Sequence, residues 1–435
     1  MAATSPASPV RRLRDDNVLA VLHHAWDLRA ERGPVTGSDL MAATGLSRAT
    51  VHAVCEELID LGWLVELANQ REHGDYVKGR PARRYAFAAD AGAVVGVDAG
   101  EHRIAARVAD LQGRELATVT RQVDHLFDAT PVGERVEAVE RTVLDALAAA
   151  GVREEAGAGP RVLGLAVGVP APVGADSRTA FSGNPYWEFM NPDLAAELTR
   201  RRGWRAVVDN DANLAALAED WRGHGRGVRH HVTLLAGERL GAGVVGDGRL
   251  LRGARGGAGE MRYLGLVDGV GSADGLAKVV RELVRADGAD GAGEVAGAGE
   301  VAAGGGAHAR AGAQVDARAG VQVDAQQVFA AARAGDPRAL AAVESAGQRL
   351  TRVVVTLASL FDPELVVVAG GVAGSAEPLV EVVTRDLPGY LDPPRPLVAA
   401  SALGRDVVVL GAVKRALDEV RSDPLRTAPA ASASR

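Results

Sequence analysis

The sequence predicts an α/β protein in which a small, mainly helical N-terminal module precedes a large domain made of two similar halves. The first observation is a repeated pattern. Apolar strands, a helix and a further apolar strand follow residue 93, and the pattern begins again near residue 232. The second is that three short amphipathic helices and two strands fit between residues 10 and 88. A chain of 435 residues is long enough for two or three domains with a sizeable core.

The composition excludes several classes of protein. A net charge of −7 excludes a general polycation, so a nucleic-acid surface would have to be local. The single cysteine, Cys55, excludes an internal disulfide framework and a multi-cysteine zinc site, and is typical of a reducing compartment. The polar start does not resemble a signal peptide, and no apolar window is long enough to span a bilayer. We therefore expect a cytoplasmic protein without a membrane partner.

The N-terminal module, predicted over residues 10–88, has the layout of a helix-turn-helix. Helices are predicted over 17–28, over 36–44, and from a Ser47 cap to about Leu61. Val51, Val54, Cys55, Leu58 and Leu61 form one apolar stripe on the third helix, and we interpret Cys55 as a core residue rather than a sensor. The polar residues near the start of that helix are the candidates for contacts with DNA bases: Ser47, Arg48, Thr50 and His52.

Two strands, predicted over 63–67 and 84–87, enclose a basic loop that contains Lys78 and Arg80. Such a hairpin is typical of a wing, whose cations contact phosphate or enter the minor groove. The module is then a winged helix-turn-helix that binds duplex DNA. Hairpins of this size also occur in dimerisation modules, and that alternative stays open.

The large domain is predicted over residues 93–420. Its first half contains strands at 94–100, 103–109, 115–120 and 162–169 and a helix at 133–149. The second half contains a hairpin at 232–235 and 243–245, a helix at 339–360 and a strand at 365–371 that runs into glycines. A Gly/Ala-rich stretch at about 285–322 predicts a flexible insertion, and residues 422–435 a disordered tail.

A cluster of acids and amides follows the predicted strand at 205–208. It reads Asp209-Asn210-Asp211-Ala212-Asn213, and an Ala/Leu-rich helix comes next. Ligands bind at such strand ends in open α/β sheets, and a carboxylate between amides suits a polyhydroxylated ligand. Asp and Asn are also preferred helix caps, so a purely structural role is the alternative.

Five motifs together resemble the ROK family of repressors and sugar kinases, within the actin-like ATPase fold. They are Val97–Gly100, Gly183–Trp187, Asp209–Asn213, Gly256–Glu260 and Asp362–Gly371. The resemblance implies that four residues hold sugar hydroxyls, Asn184, Asn210, Asp211 and Glu260, and that Asp211 is the catalytic base if kinase activity persists. It also implies that Gly370 and Gly371 approach adenosine.

The sequence departs from the kinase pattern at both phosphate loops. The first loop, with Asp98 and Gly100, carries Glu101, and the second, with Gly237 and Gly241, carries Glu238. A carboxylate about 4 Å from a phosphate charge costs roughly 4 kcal/mol at an effective dielectric near 20. Arg262 also stands where the family's zinc-binding histidine is expected, with no cysteine nearby. We therefore expect no ATP, Mg²⁺ or zinc cofactor.

Three functional hypotheses follow. The first is a sugar-responsive transcriptional regulator, a repressor that binds operator DNA as a homodimer or homotetramer and takes a sugar or sugar derivative as ligand. The second is an ATP-dependent sugar kinase with a DNA-binding appendage. The third is a DNA-binding protein whose large domain serves only dimerisation.

Overall fold

The structure is a computed structural model that describes residues 9–28, 33–67, 83–123, 130–152, 161–290 and 325–429, with backbone alone at 9–12 and 286–290. The chain divides into two compact units. The first contains the described parts of Met1–Arg222, Leu250–Gly259 and Asp406–Arg435, and the second Gly223–Arg249 and Glu260–Arg405. The N-terminal module therefore belongs to the same unit as the first α/β half.

The N-terminal module is a winged helix. Its elements are α1 (Pro9–Asp27), β1 (Val35–Thr36), α2 (Gly37–Thr44), α3 (Arg48–Asp60), β2 (Leu64–Leu67) and β3 (Arg84–Phe87). The strands form an antiparallel sheet in the order β1-β3-β2. A capping box between Thr36 and Asp39 starts α2, and Gly45, at φ 70°, ends it. The predicted helices and strands are confirmed, although α1 begins eight residues earlier than the apolar pattern indicated.

The apolar stripe of α3 forms the core of this module. Val51, Val54, Cys55 and Leu58 are buried, which agrees with the interpretation of Cys55 as a core residue. Burial raises the pKa of the Cys55 thiol to about 11, so it is protonated at neutral pH. On the other side, Trp26 stacks on Phe87 at 4.8 Å between ring centroids, and Trp63 lies 5.4 Å from Trp26.

The first α/β half forms a five-stranded sheet in the order β6-β5-β4-β7-β8. Its elements are β4 (Gly92–Ala99), β5 (Arg103–Asp110), β6 (Glu115–Gln122), α4 (Val132–Ala149), β7 (Arg161–Val169), α5 (Pro185–Met190), α6 (Leu194–Arg202), β8 (Ala206–Asn210) and α7 (Asp211–Arg222). The first three strands are an antiparallel meander, and β7 and β8 add in parallel. The apolar run of β4 is buried on both faces, as expected for a central strand.

The second half repeats this topology in the order β11-β10-β9-β12-β13. Its elements are β9 (His231–Ala236), β10 (Leu240–Gly246), β11 (Arg249–Leu250), α8 (Leu276–Asp290), α9 (Ala325–Arg333), α10 (Pro337–Phe361), β12 (Leu365–Ala369), α11 (Glu377–Asp386) and β13 (Leu397–Ala400). As in the first half, the fourth and fifth strands add in parallel. The predicted duplication is confirmed.

The apolar run that starts at Val407 is itself a helix. It forms the first half of α12 (Val407–Ser422), which packs on the first sheet, and α13 (Pro424–Thr427) follows. A Cβ on Gly96 of β4 would lie 2.4 Å from the backbone nitrogen of Val413, so only glycine permits this close approach. Sequence from the end of the chain thus completes the core of the first half.

Two predicted boundaries are corrected. Residues 285–290 continue α8 instead of starting a flexible insertion, since extending a formed helix costs little; the insertion from 291 to 322 lies outside the described residues. The tail is not disordered from 422 onward. Pro424 and Thr427 are buried, and Pro429 packs against Gly62 at 3.3 Å from the position of a Gly62 Cβ. The few residues involved leave no periodic pattern in the sequence.

Among the described residues, no helix is both long enough and apolar enough to cross a membrane.

Candidate functional site

The N-terminal turn of α3 presents the predicted DNA-reading residues. The hydroxyl of Ser47 accepts a hydrogen bond from the backbone N–H of Thr50 at 3.2 Å, so Ser47 is the N-cap. The Thr50 hydroxyl lies 2.9 Å from that of Ser47, which ties the two side chains together. Arg48 is exposed at this end of the helix. Arg48 is therefore the cation that α3 can bring to a base edge.

Unlike Ser47, Arg48 and Thr50, His52 contacts a strand of the wing. Its Nδ1 is 3.4 Å from the hydroxyl of Tyr85, a buried residue of β3, and the side chain is half-buried. The imidazole therefore spans from α3 toward the wing strands. A direct base contact by His52 stays a prediction.

The base of the wing is held by an ion-pair cluster. Arg83 pairs with Glu66 of β2 at 2.7 Å and with Glu56 of α3 at 3.2 Å. These carboxylates hold the pKa of the Arg83 guanidinium above its ordinary value. Arg83 is thus engaged within the module, and the cations predicted for the loop itself, Lys78 and Arg80, lie outside the described residues.

Asn210 and Asp211 lie where β8 ends and α7 begins, as predicted. The Asn210 side-chain oxygen accepts from the backbone N–H of Asn213 at 3.1 Å, and its amide group donates to the carbonyl of Ala171 at 3.1 Å. Asn210 therefore caps α7, which is the structural alternative for this residue. Asp211 is half-buried and accepts from the backbone N–H of Ala212.

The acid before this pair is structural. Asp209 is 1% exposed and receives both nitrogens of Arg252, at 2.8 and 2.6 Å. Asp209 also raises the pKa of the Arg252 guanidinium. Bidentate contacts of this kind are strong and directional, so Arg252 fixes the backbone corner from which Asn210 and Asp211 project.

Asn184 is the N-cap of α5. Its side-chain oxygen accepts from the backbone N–H groups of Tyr186 and Trp187, at 3.1 and 3.3 Å. What Asn184 offers a ligand is then its amide group, as a donor. The segment before Asn184 contacts β8 through Ser177, whose hydroxyl accepts from the backbone N–H of Val208 at 3.0 Å.

Glu260 belongs to the second unit. It lies across from Gly241 in an isolated antiparallel bridge, and its carboxylate accepts from the backbone N–H of Arg262 at 3.0 Å. Desolvation by the surrounding protein raises the pKa of this carboxyl, while Arg239 and Arg262 act to lower it. The residue is exposed, which leaves its oxygens accessible.

A buried arginine, Arg135, binds the backbone of the first predicted phosphate loop. Arg135 donates to the carbonyls of Ala99 and Gly100, at 2.6 and 3.2 Å, and to Met190 at 3.0 Å. Burial lowers the pKa of this guanidinium to about 10. The carboxylate of Glu101 accepts from the hydroxyl of Tyr186 at 3.1 Å, which links the loop to the Asn184 segment.

Asp98, at the end of β4, is a largely buried carboxyl, with 18% of its side chain exposed. Arg103 lies 3.4 Å from it and is the nearest cation. Burial raises the pKa of Asp98 to about 6, with Arg103 and Arg135 acting in the opposite direction. Since the ion pair is long, burial dominates here.

The second predicted phosphate loop lies in the second unit. Glu238 pairs with Arg281 of α8 at 2.6 Å and keeps about half of its side chain exposed, 49%. The backbone is tightly folded here, because a Cβ on Gly275 would lie 2.0 Å from the carbonyl oxygen of Gly237. Both loop carboxylates thus have partners, which weakens the repulsion expected from the sequence.

Three arginines of this region escaped the sequence reasoning: Arg103, Arg135 and Arg252. The partners of Arg135 and Arg252 lie 35 to 55 positions away, Arg103 pairs with both Asp98 and the distant Asp406, and no motif marks any of the three. Arg135 carried a weak signal, since a cation at an apolar position of a helix needs internal acceptors.

The arrangement defines a class: a duplicated α/β fold of the sugar-kinase type joined to a winged helix. The family model for the ROK family matches residues 94–419, and a model for the IclR helix-turn-helix domain matches residues 16–68. The chain belongs to the ROK family.

The relatives of this chain include both sugar kinases and repressors. A glucokinase of Thermotoga maritima is 29% identical over 73% of this chain and 95% of its own length. A xylose repressor of Caldicellulosiruptor bescii is 26% identical over 63% of this chain and 68% of its own length. The crystal structure of a ROK family transcriptional regulator, homologous to the E. coli MLC protein, matches with a TM-score of 0.69 over 96% of this chain and 99% of its own, at 21% identity. That structure supports the fold, with the winged helix included.

Proposed function

We propose that this protein is a sugar-responsive transcriptional regulator that binds operator DNA. The observation that carries the proposal is the exposed Arg48 beside the Ser47 cap of α3, in the same compact unit as the Asn210–Asp211 edge. A DNA-reading element and a candidate ligand edge on one packed body provide the two sites that a ligand-controlled regulator needs. The similarity to a xylose repressor supports this proposal.

On the DNA side, α3 enters the major groove with Arg48 toward the base edges, and the wing loop with Lys78 and Arg80 contacts the backbone. Because the net charge is −7, affinity comes from this local surface. Operators of helix-turn-helix dimers are two-fold symmetric, and we propose a dimer here as well.

On the ligand side, Asn184 and Asp211 of the first unit supply an amide donor and a carboxylate. A sugar hydroxyl donates to a carboxylate and accepts from an amide, so this set suits a pentose or hexose. Asn210 contributes mainly by holding the start of α7, because both ends of its side chain are engaged within the protein.

The proposed regulator works without a nucleotide or metal. Glu101 and Glu238 place carboxylates in both phosphate loops; the partner of Glu101 is the neutral hydroxyl of Tyr186, while Glu238 pairs with Arg281. We propose that ATP and Mg²⁺ bind weakly and that the zinc site of the family is absent, since Arg262 replaces the expected histidine.

The test is a thermal-shift screen of free sugars and sugar phosphates, with and without duplex DNA selected from a genomic fragment library. We expect at least one sugar to raise the melting temperature of the wild type and to change its affinity for the selected DNA. Asp211→Asn should reduce the shift, whereas the exposed Asp392→Asn should not. No shift with any sugar would favour a large domain that serves only dimerisation.

A sugar kinase is the second candidate. The pairing of Glu238 with Arg281 and of Glu101 with Tyr186 favours it, because partnered carboxylates repel phosphate less. The similarity to a glucokinase points the same way. A coupled assay with ATP, Mg²⁺ and a panel of hexoses separates the candidates. Turnover that disappears in Asp211→Asn would make the protein an enzyme.

A further inference from the structure

Helix α7 joins the candidate ligand edge to the other end of the first unit. It starts at Asp211, directly after the Asn210 cap, and ends at Arg222. With a rise of about 1.5 Å per residue, it spans roughly 18 Å. Its two ends therefore lie in different parts of the unit.

The last turn of α7 contacts the tight turn between β5 and β6. Arg222 donates to the carbonyl of Gly113 at 2.6 Å, and its guanidinium lies 3.9 Å over the ring of Trp221. A Cβ on Gly113, which has φ +77°, would lie 2.5 Å from the Trp221 ring. The indole thus rests directly on the backbone of this turn.

The same turn holds the winged helix. The indole N–H of Trp26 donates to the carbonyl of Leu111 at 2.8 Å, and the Gln112 amide donates to the carbonyl of Leu28 at 3.3 Å. The turn is stiff, because the buried carboxylate of Asp110 accepts from the backbone N–H groups of Gln112 and Arg114. A displacement of the turn must therefore move the end of α1.

Helix α7 packs on α12, and the tightest contacts lie at Leu214, in the first turn of α7. A Cβ on Gly411 of α12 would lie 1.8 Å from the carbonyl oxygen of Leu214, and one on Gly168 of β7 would lie 2.8 Å from the Leu214 side chain. Helix α12 reaches the same end of α1, where Arg421 pairs with Asp27 at 2.6 Å. Packed elements of this density shift as bodies rather than deform.

We propose that α7 couples occupancy of the Asn210–Asp211 edge to the position of the winged helix, with Trp221 and Arg222 as the positioning residues. The inference rests on the proposed function, since it requires a ligand at that edge. A ligand that shifts the start of α7 moves the Gly113 turn, and this turn carries α1 with it. The contact at the end of α7 is then the step at which coupling can be cut without touching either site.

The test is hydrogen exchange of the full chain with and without D-xylose or D-glucose, read in peptides covering residues 206–215, 108–115 and 18–28. In the wild type, we expect the sugar that binds to change exchange in all three segments. A coupling free energy of ordinary size corresponds to about a fivefold change or more. In Trp221→Ala and Arg222→Ala, the change at 206–215 should persist while the changes at 108–115 and 18–28 disappear, and Trp221→Phe should restore part of them.

Arg226→Ala, which removes an exposed arginine four positions beyond Arg222, is the matched control and should behave as the wild type. If Trp221→Ala lowers the melting temperature strongly, Arg222→Ala at the surface carries the test. Two outcomes overturn the coupling inference but leave the proposed function standing. In the first, sugar changes exchange at 206–215 of the wild type but not at 18–28. In the second, the change at 18–28 persists in both variants. No effect at 206–215 with either sugar contradicts the proposed function itself.

Discussion

Two aspartates of the first unit differ in their ionic partners. Asp209 is 1% exposed and accepts hydrogen bonds from two nitrogens of Arg252. Asp98 keeps 18% of its side chain exposed, and its partner Arg103 is 3.4 Å away and is shared with Asp406. Burial therefore raises the pKa of Asp98 to about 6.

The stability of the protein should depend on pH through Asp98. In a folded protein that raises a carboxyl pKa from 3.8 to about 6, the penalty for ionising the buried group is absent below the lower value, grows between the two and is complete above the higher one. Asp98→Asn should therefore melt at a higher temperature than the wild type at pH 7.5, with the difference vanishing toward pH 4 as measured by thermal unfolding. The exposed Asp392→Asn is the control. An equal difference at both pH values would contradict this.

Arg48 and Arg80 should affect DNA binding in different ways. Arg48→Ala should cost about 1–3 kcal/mol and relax the sequence preference, because the contact proposed for this side chain is with a base edge. Arg80→Ala should weaken binding to all sequences similarly and reduce the salt slope by about 1, because the contact proposed for it is with phosphate. Gel-shift titrations at several salt concentrations measure both. Two variants with the same profile would show that α3 does not read bases.

At the scale of single elements, the cap of α3 can be separated from its contact with DNA. Ser47→Ala removes the acceptor for the N–H of Thr50 and should cost about 1 kcal/mol of stability. Ser47→Asp keeps a capping oxygen and should retain stability, but its charge faces phosphate and should weaken binding to DNA. Thermal melts and gel shifts on both variants test this. Loss of stability in Ser47→Asp as well would mean that the cap geometry is wrong.

The contact between α7 and α12 should tolerate no added atom. Gly411→Ala places a methyl group 1.8 Å from the Leu214 carbonyl oxygen, so one helix must move. We expect a loss of about 1–3 kcal/mol, as for other overpacked cores. Gly133→Ala, in α4 with no atom near the added carbon, should be neutral or stabilising. Chemical denaturation measures both, and an unaffected Gly411→Ala would refute the tight packing of these helices.

The elements that the sequence predicted well are those with local signals. The strand at Val94–Val97 shows a continuous apolar run, and the third helix of the module shows a cap followed by a stripe, so both could be placed within a few residues. The run from Val407 to Val413 carries no such local signal, because a short apolar run suits either a strand or a buried helix. Arg135 and Arg252 act through distant partners, and only the fold brings these together. Ser47 was predicted as a cap, and capping was one of two alternatives for the Asp209–Asn213 segment, but only the fold shows that Asn184 and Asn210 are the capping residues.

At the scale of the molecule, the repeated topology gives two sheets of the same strand order that carry different candidate residues. The first sheet carries the winged helix and the Asn210–Asp211 edge, and the second carries Glu238 and Glu260. The ROK family contains kinases and repressors on this plan, and here the added module lies with the first sheet. The first unit therefore holds most of the residues on which regulation would act.

If the protein binds DNA as a dimer, the operator should contain two half-sites. Their centres should be about 10–10.5 base pairs apart, or a multiple of this, because each α3 enters the same face of the duplex. Footprinting of the selected DNA measures the spacing, and insertion of five base pairs between the half-sites should abolish tight binding. Inserting ten should restore it in part. Indifference to the insertion would indicate that monomers bind independently.

The placement of α12 has a consequence for how the protein is made. Arg107 of β5 pairs with Asp406, 299 positions later. Helix α12 follows Asp406 and packs closely on Gly96 of β4. While the ribosome is still translating the second half, the sheet of the first half has an apolar face without its cover. Until α12 is synthesised, this face stays exposed or is bound by a chaperone. The ion pair between Arg421 and Asp27 of the winged helix also forms only after α12 is made. Nascent chains should thus complete the core of the first half only when α12 has left the exit tunnel.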